Sequence, residues 1–168
     1  MKLHTKQLTL AALTAAAYAV LSYFGSISGI TYGPIQCRFS EALCVLPFFL
    51  PETAWGLGVG CLIANLLSPY GVLDIVVGSA ATLLAALLTA RCQKKWLAPL
   101  PPVIANTVLI GLVLAYEQAG TSAAFWPTYA FNALTVGLGE AVACYGLGGL
   151  LLWRLDKSNA LQHYLQNR

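Results

Sequence analysis

Apolar residues in this chain run in long stretches, separated by short clusters of glycine, proline and charge. A helix crossing a hydrocarbon core of about 30 Å needs about 20 mostly apolar residues. On that measure the first stretch predicts a helix over 8–24, followed by a Gly-rich loop over 25–38, GSISGITYGPIQCR. The next apolar stretch, 39–67, is interrupted by Pro47, Pro51 and Glu52. It is too long for one span and has an acid in its middle. It therefore reads as a hairpin of two short helices, 39–50 and 53–67, with a tight turn at Pro51-Glu52. Ser68-Pro69-Tyr70-Gly71 is a turn. Further helices follow over 72–90, 101–116 and 125–153. The tail over 155–168 reads either as a short interfacial helix, with Leu161, Tyr164 and Leu165 on one side, or as a frayed end. The fold class is an all-α integral membrane protein, six transmembrane helices forming one membrane domain over 1–168.

Composition supports a bilayer as solvent. Hydrophobic residues make up 58% of the chain and charged residues only 9%, against about 25% charged in ordinary soluble domains. A soluble enzyme, a nucleic-acid binder and a disordered regulator are excluded on that ground. The net charge of +3 is scattered rather than gathered into a phosphate-tracking patch. Its distribution orients the helices. With the N-terminus in the cytoplasm, Lys2, Lys6, Arg91, Lys94, Lys95, Arg154, Lys157 and Arg168 all lie inside, and only Arg38 lies outside. That bias requires an even number of crossings, so both termini are expected in the cytoplasm of a cell-membrane protein. Trp96, Trp126 and Trp153 fall at helix ends, where aromatic rings anchor to headgroups. A basic start before an apolar stretch also fits a cleaved signal segment, but the length of the stretch favours a spanning helix.

Cysteine and histidine point away from metal and redox chemistry. The five cysteines have no CxxC spacing, and His4 and His163 lie near the two ends. Four of the five cysteines sit in apolar surroundings, where the thiol behaves as a small hydrophobe. No metal or cofactor is expected. There is no Gly-Lys dipeptide and hence no P-loop, so any ATP must be hydrolysed by another subunit.

Ionisable groups inside a membrane cost roughly 2.5–3.5 kcal/mol each on insertion scales and are functional candidates by default. Glu41, Asp74 and Glu140 qualify, whereas Glu52 and Glu117 fall at turns and are expected to be solvated. Arg38 and Glu41 are three apart and could pair on one helical face. Asp74 follows a turn and could cap a helix. Glu140 lies mid-helix with no cation within four residues, so it needs a partner from another helix or from a ligand. Asn65, Asn106 and Asn132 must be hydrogen-bonded if buried, either as interhelical contacts or to a ligand. Asn132 shares a stripe with Glu140, and Tyr129 lies beside it. Carboxylates and amides with one arginine suit a ligand rich in hydrogen-bond donors, a cation included. Small residues recur every four positions on the first helix, at Ala11, Ala15 and Ala19 and at Ala12 and Ala16, and again at Gly56 and Gly60. That pattern fits close packing within the bundle or docking of another membrane subunit.

The stretch from Ile30 to Leu43, ITYGPIQCRFSEAL, followed by Leu46-Pro47-Phe48, resembles the queuosine-precursor transporter family. These are substrate-binding S components of energy-coupling factor (ECF) transporters. Further matching stretches are Gly60–Asn65, Leu73–Gly78, Leu100–Val103 with Asn106, and Leu138–Glu140, although Cys37 stands where an apolar or aromatic residue is expected. The resemblance implies a six-helix S component that captures its ligand outside. Such a component docks on a transmembrane T component carrying two ABC-type ATPases and topples to release the ligand inside. It implies that Ala11, Ala12, Ala15, Ala16 and Ala19 meet the T component, and that the ligand is a 7-deazaguanine. Such a base presents adjacent N–H donors to a carboxylate. Its carbonyl would need Arg38, Gln36 or an Asn, and its ring could stack on Tyr32, Phe39, Tyr70, Trp126 or Tyr129. The glycines of 25–38 would make that loop a lid. Two other classes remain open: a stand-alone secondary transporter of a small cationic or donor-rich solute, with Glu140 as its proton site, and a membrane-embedded enzyme. The absence of an internal His or metal cluster argues against the enzyme.

Overall fold

The computed structural model describes residues 5–27, 38–66 and 71–166, and these are helical almost throughout. Helix α1 runs Thr5–Ile27, and a 3-10 helix, Phe39–Phe48, comes next. Helix α2 is Thr53–Asn65. Helix α3, Gly71–Thr89, contains a π-helical turn at Asp74–Gly78. Helix α4 is Leu100–Ala119, preceded by a short 3-10 turn at Lys95–Leu97. Helix α5, Phe125–Asp156, has a π-helical stretch at Val142–Gly148, and α6 is Asn159–Gln166. Four segments are long and apolar enough to cross a membrane: Thr5–Ile27, Gly71–Thr89, Lys95–Ala119 and Phe125–Asp156. The 3-10 helix and α2 are apolar but shorter.

The layout follows from what each helix must hide. With lipid as solvent, leucines can face outward while polar groups turn in. Leu84 and Leu88 on α3, Ile104 and Val108 on α4, and Leu134 and Leu138 on α5 are exposed, whereas Asn106, Asp74 and Glu140 on the same helices are buried. The 3-10 helix lies at the centre, against α1, α2, α3 and the π-helical part of α5. Helix α4 packs along α5, and α3 lies between α2 and α4. A 3-10 helix rises about 2.0 Å per residue. Its ten residues therefore reach about 20 Å, further than the same residues in an α-helix would.

Small residues set the closest contact. A Cβ on Gly60 would stand 2.7 Å from the Ala15 carbonyl oxygen, and one on Gly56 would collide with the carbonyl of Ala11. Ala11 and Ala15 are accordingly buried on α2, while Ala12 and Ala16 are exposed and Ala19 is half-buried. The two alanine rows thus face different ways. Helix α2 already covers Ala11 and Ala15, so of the two rows that of Ala12 and Ala16 is the one left open.

Several local expectations change. Gly25 is a buried helical residue of α1 rather than loop. Ser26 and Ile27 also belong to α1; residues 28–37 of the expected lid, with Tyr32 and Gln36, lie outside the described residues, as does Tyr70. Glu52 does not reach solvent. It is fully buried, and Tyr164 Oη on α6 donates to its Oε1 at 3.0 Å. The tail is therefore an ordered helix lying back on the turn between the 3-10 helix and α2, with Leu161 buried.

Candidate functional site

The 3-10 helix explains the local order of the central polar cluster. Residues three apart eclipse one another in this geometry, so Arg38, Glu41 and Cys44 fall in one row. Cys44 Sγ donates to Glu41 Oε2 at 2.9 Å, and Tyr18 on α1 donates its hydroxyl to Oε1. Beside them Ser22 Oγ donates to Ser40 Oγ at 2.7 Å, a second polar link between α1 and the 3-10 helix. Glu41, Ser40 and Tyr18 are all buried.

Arg38, at the start of the 3-10 helix, turns to α2 and α3. Its Nη2 lies 3.6 Å from Asp74 Oδ2, and its Nη1 lies 3.4 Å from Asn65 Oδ1. Asn65 Nδ2 in turn donates to the Asp74 backbone carbonyl at 3.1 Å. Gly78, one turn past Asp74, leaves the room this requires: a Cβ there would stand 2.6 Å from Asn65 Nδ2. Asp74 faces a cation from another segment. It therefore takes part in an interhelical ion pair.

Glu140 enters from α5. Its Oε2 lies 3.7 Å from Cys144 Sγ, one turn along, and Asn106 on α4 is a hydrogen-bond partner. Cys144 Sγ also approaches the Glu41 carbonyl oxygen at 3.4 Å. The acids of α3 and α5 both sit at or beside π-helical turns, which in helices often mark functional positions. The arrangement brings together six of the residues singled out by sequence: Arg38, Glu41, Asn65, Asp74, Asn106 and Glu140. All are buried. Three carboxyl groups, one guanidinium and two amides are thus buried in the bundle, an acid-rich set suited to accept hydrogen bonds from a ligand or to hold a cation.

Other candidates lie apart. Asn132 Nδ2 donates to Gln118 Oε1 on α4 at 3.1 Å, an interhelical contact. It lies eight residues, or about 12 Å of helix, from Glu140. Tyr129 stacks edge-on to Trp126 with ring centroids 6.2 Å apart, and Trp126 is exposed. Sequence reasoning missed Tyr18 and the thiols. Each thiol stands one turn from a polar residue, at Glu41/Cys44, Cys61/Asn65 and Glu140/Cys144, and Asn65 Nδ2 lies 3.5 Å from Cys61 Sγ. That spacing was the available signal. Among the described residues no group of His, Cys, Asp and Glu is arranged to hold a metal ion.

Comparison with known proteins decides the class. The family model described as the QueT transporter matches residues 8–157. The chain belongs to the QueT transporter family. That family is one of membrane transporters, in keeping with the four segments long and apolar enough to cross a membrane. A curated relative, the queuosine precursor transporter QueT of Lactococcus lactis subsp. cremoris (strain MG1363), is 37% identical over 99 residues. That match covers 56% of this chain and 58% of the relative, so the chain spans less than two thirds of the relative's length. No solved structure matches the chain. Within the QueT family match fall all six clustered polar residues and both alanine rows.

Proposed function

We propose that this chain captures a queuosine precursor, a 7-deazaguanine base, for uptake across the cell membrane, and that the buried acid cluster is its binding site. The observation that carries this reading is the burial of three acids, Glu41, Asp74 and Glu140, inside the bundle together with Arg38, whose guanidinium lies 3.6 Å from Asp74. A guanine-like edge offers adjacent N–H donors to a carboxylate, and an aminomethyl ammonium would complement a second. Arg38, Asn65 or Asn106 can donate to the base carbonyl. The relative's name, with its queuosine precursor, supports this ligand class.

In the finer reading the chain is a six-crossing S component with both termini in the cytoplasm. The 3-10 helix and α2 form the two short crossings. The chain hands its ligand to an ECF T component with two ABC-type ATPases. The exposed row of α1, Ala12 and Ala16, is the docking face, because its small side chains let another backbone approach closely. Reconstituted alone, the protein then binds its ligand but does not accumulate it. Uptake into proteoliposomes containing this chain with no ATPase would refute the S-component reading. It would favour a stand-alone proton-coupled transporter, to which the shared contact of Cys144 with Glu41 and Glu140 lends some support. Mass spectrometry of the small molecule that co-purifies with the protein tests the ligand class, and a solute without a 7-deazapurine ring would sink it.

A further inference from the structure

At the end of the bundle where α4 begins and α5 finishes, a groove of about 240 Å³ opens on the surface. Trp96, Pro99, Tyr145, Gly149, Leu152 and Trp153 line it. Its floor is apolar, and it is far from the acid cluster in character, since Lys95 and Asp156 alone contribute charge to its wall. Lys95 Nζ and Asp156 Oδ1 are 2.6 Å apart, so this acid is already matched. Around Trp153 the cations continue. Lys157 Nζ stands 4.2 Å from the ring centroid and the Arg154 guanidinium carbon 5.6 Å from it. Lys94, Arg154 and Lys157 are exposed, and Asp156 is the only acid in the groove lining.

We propose that this groove is a binding site for an anionic phospholipid, whose acyl chain lies against Trp96, Tyr145 and Leu152 while its phosphate is held by Lys95 and Lys157. The apolar floor and the basic rim together define the occupant. An apolar chain alone would account for the tryptophans but not for the excess of cations. A soluble anion would account for the cations but not for the open apolar floor. A zwitterionic headgroup brings its own ammonium, which the rim would repel, whereas a phosphatidylglycerol headgroup brings none. The aromatic rings set the depth, since Trp and Tyr favour the headgroup level. Basic residues beside a membrane surface favour anionic lipid by about fivefold each. The site is independent of the ligand reading above.

Tryptophan quenching tests it. Trp55 and Trp126 are exposed, so a Trp55→Phe/Trp126→Phe protein retains Trp96 and Trp153 as reporters of the groove. It is reconstituted in phosphatidylcholine vesicles with a small fraction of chain-brominated phosphatidylglycerol, or of chain-brominated phosphatidylcholine. Phosphatidylglycerol should quench at a mole fraction at least about fivefold lower. Lys95→Gln/Lys157→Gln should abolish that preference, and Lys95→Arg/Lys157→Arg should retain it. Lys157→Gln alone, which leaves the Lys95–Asp156 pair intact, should reduce it. Equal quenching by the two lipids, or a preference unchanged in Lys157→Gln, would overturn the proposal.

Discussion

Tyr18 on α1 donates its hydroxyl to the Glu41 carboxylate of the 3-10 helix, tying the first helix to the acid at the centre of the bundle. Both side chains are buried. Removing the hydroxyl leaves a buried carboxylate short of a donor, which costs about 1–3 kcal/mol. Tyr18→Phe should therefore lower the thermal unfolding temperature of the detergent-purified protein. Tyr23→Phe, on an exposed ring of the same helix, should leave it unchanged. Equal behaviour of the two variants would show that the bond contributes nothing.

The Arg38–Asp74 pair is buried on both sides. Breaking one partner of such a pair typically costs about 3–5 kcal/mol because the other charge is stranded. Asp74→Asn should be strongly destabilised, and Arg38→Met/Asp74→Asn should recover part of the loss. A double variant whose loss equals the sum of the two singles would show that the charges do not interact.

Helix α1 has an inner and an outer face. Gly60→Val forces a side chain onto the Ala15 carbonyl and should prevent recovery of monodisperse protein in size-exclusion chromatography. Ala16→Leu adds bulk on an exposed face and should leave folding and ligand binding intact while assembly with the T component falls. Normal assembly of Ala16→Leu would move the docking face elsewhere.

Cys92 lies in the turn between α3 and α4, and partial burial pushes its thiol above the usual range. The thiolate is the reactive form, so less of it is present at neutral pH than for a free cysteine. In a Cys37→Ser background, an impermeant maleimide should label Cys92 in inside-out vesicles only. The rate should still be rising at a pH where an ordinary thiol has levelled off. Labelling in right-side-out vesicles would invert the topology.

Much of this arrangement was legible in sequence, because helices facing lipid must be long and apolar and because buried acids stand out against that background. Glu41, Asp74 and Glu140 were visible for that reason. Their partners were harder to find. Glu52 looked solvated beside Pro51, since Tyr164, which meets it, lies 112 residues away. The two alanine rows of α1 are chemically alike, and only the glycines of α2 decide which one is covered. The thiols were read as hydrophobes because polarity in a cysteine is set by its neighbours. The 3-10 geometry of Phe39–Phe48, which aligns Arg38, Glu41 and Cys44, has no signature in apolar periodicity.

The central claim is that the acid cluster binds a 7-deazaguanine, and calorimetry with 7-aminomethyl-7-deazaguanine tests it most directly. The purified protein should bind the base saturably. Glu140→Gln keeps the shape of the side chain but removes its charge and turns one acceptor into a donor. A hydrogen bond to a charged group contributes about 1.5–3 kcal/mol, so the variant should bind roughly ten- to a hundredfold more weakly. It should still fold, because a neutral amide is easier to bury than a carboxylate. No binding by the unmodified protein, or equal affinity in the folded Glu140→Gln variant, would contradict the account.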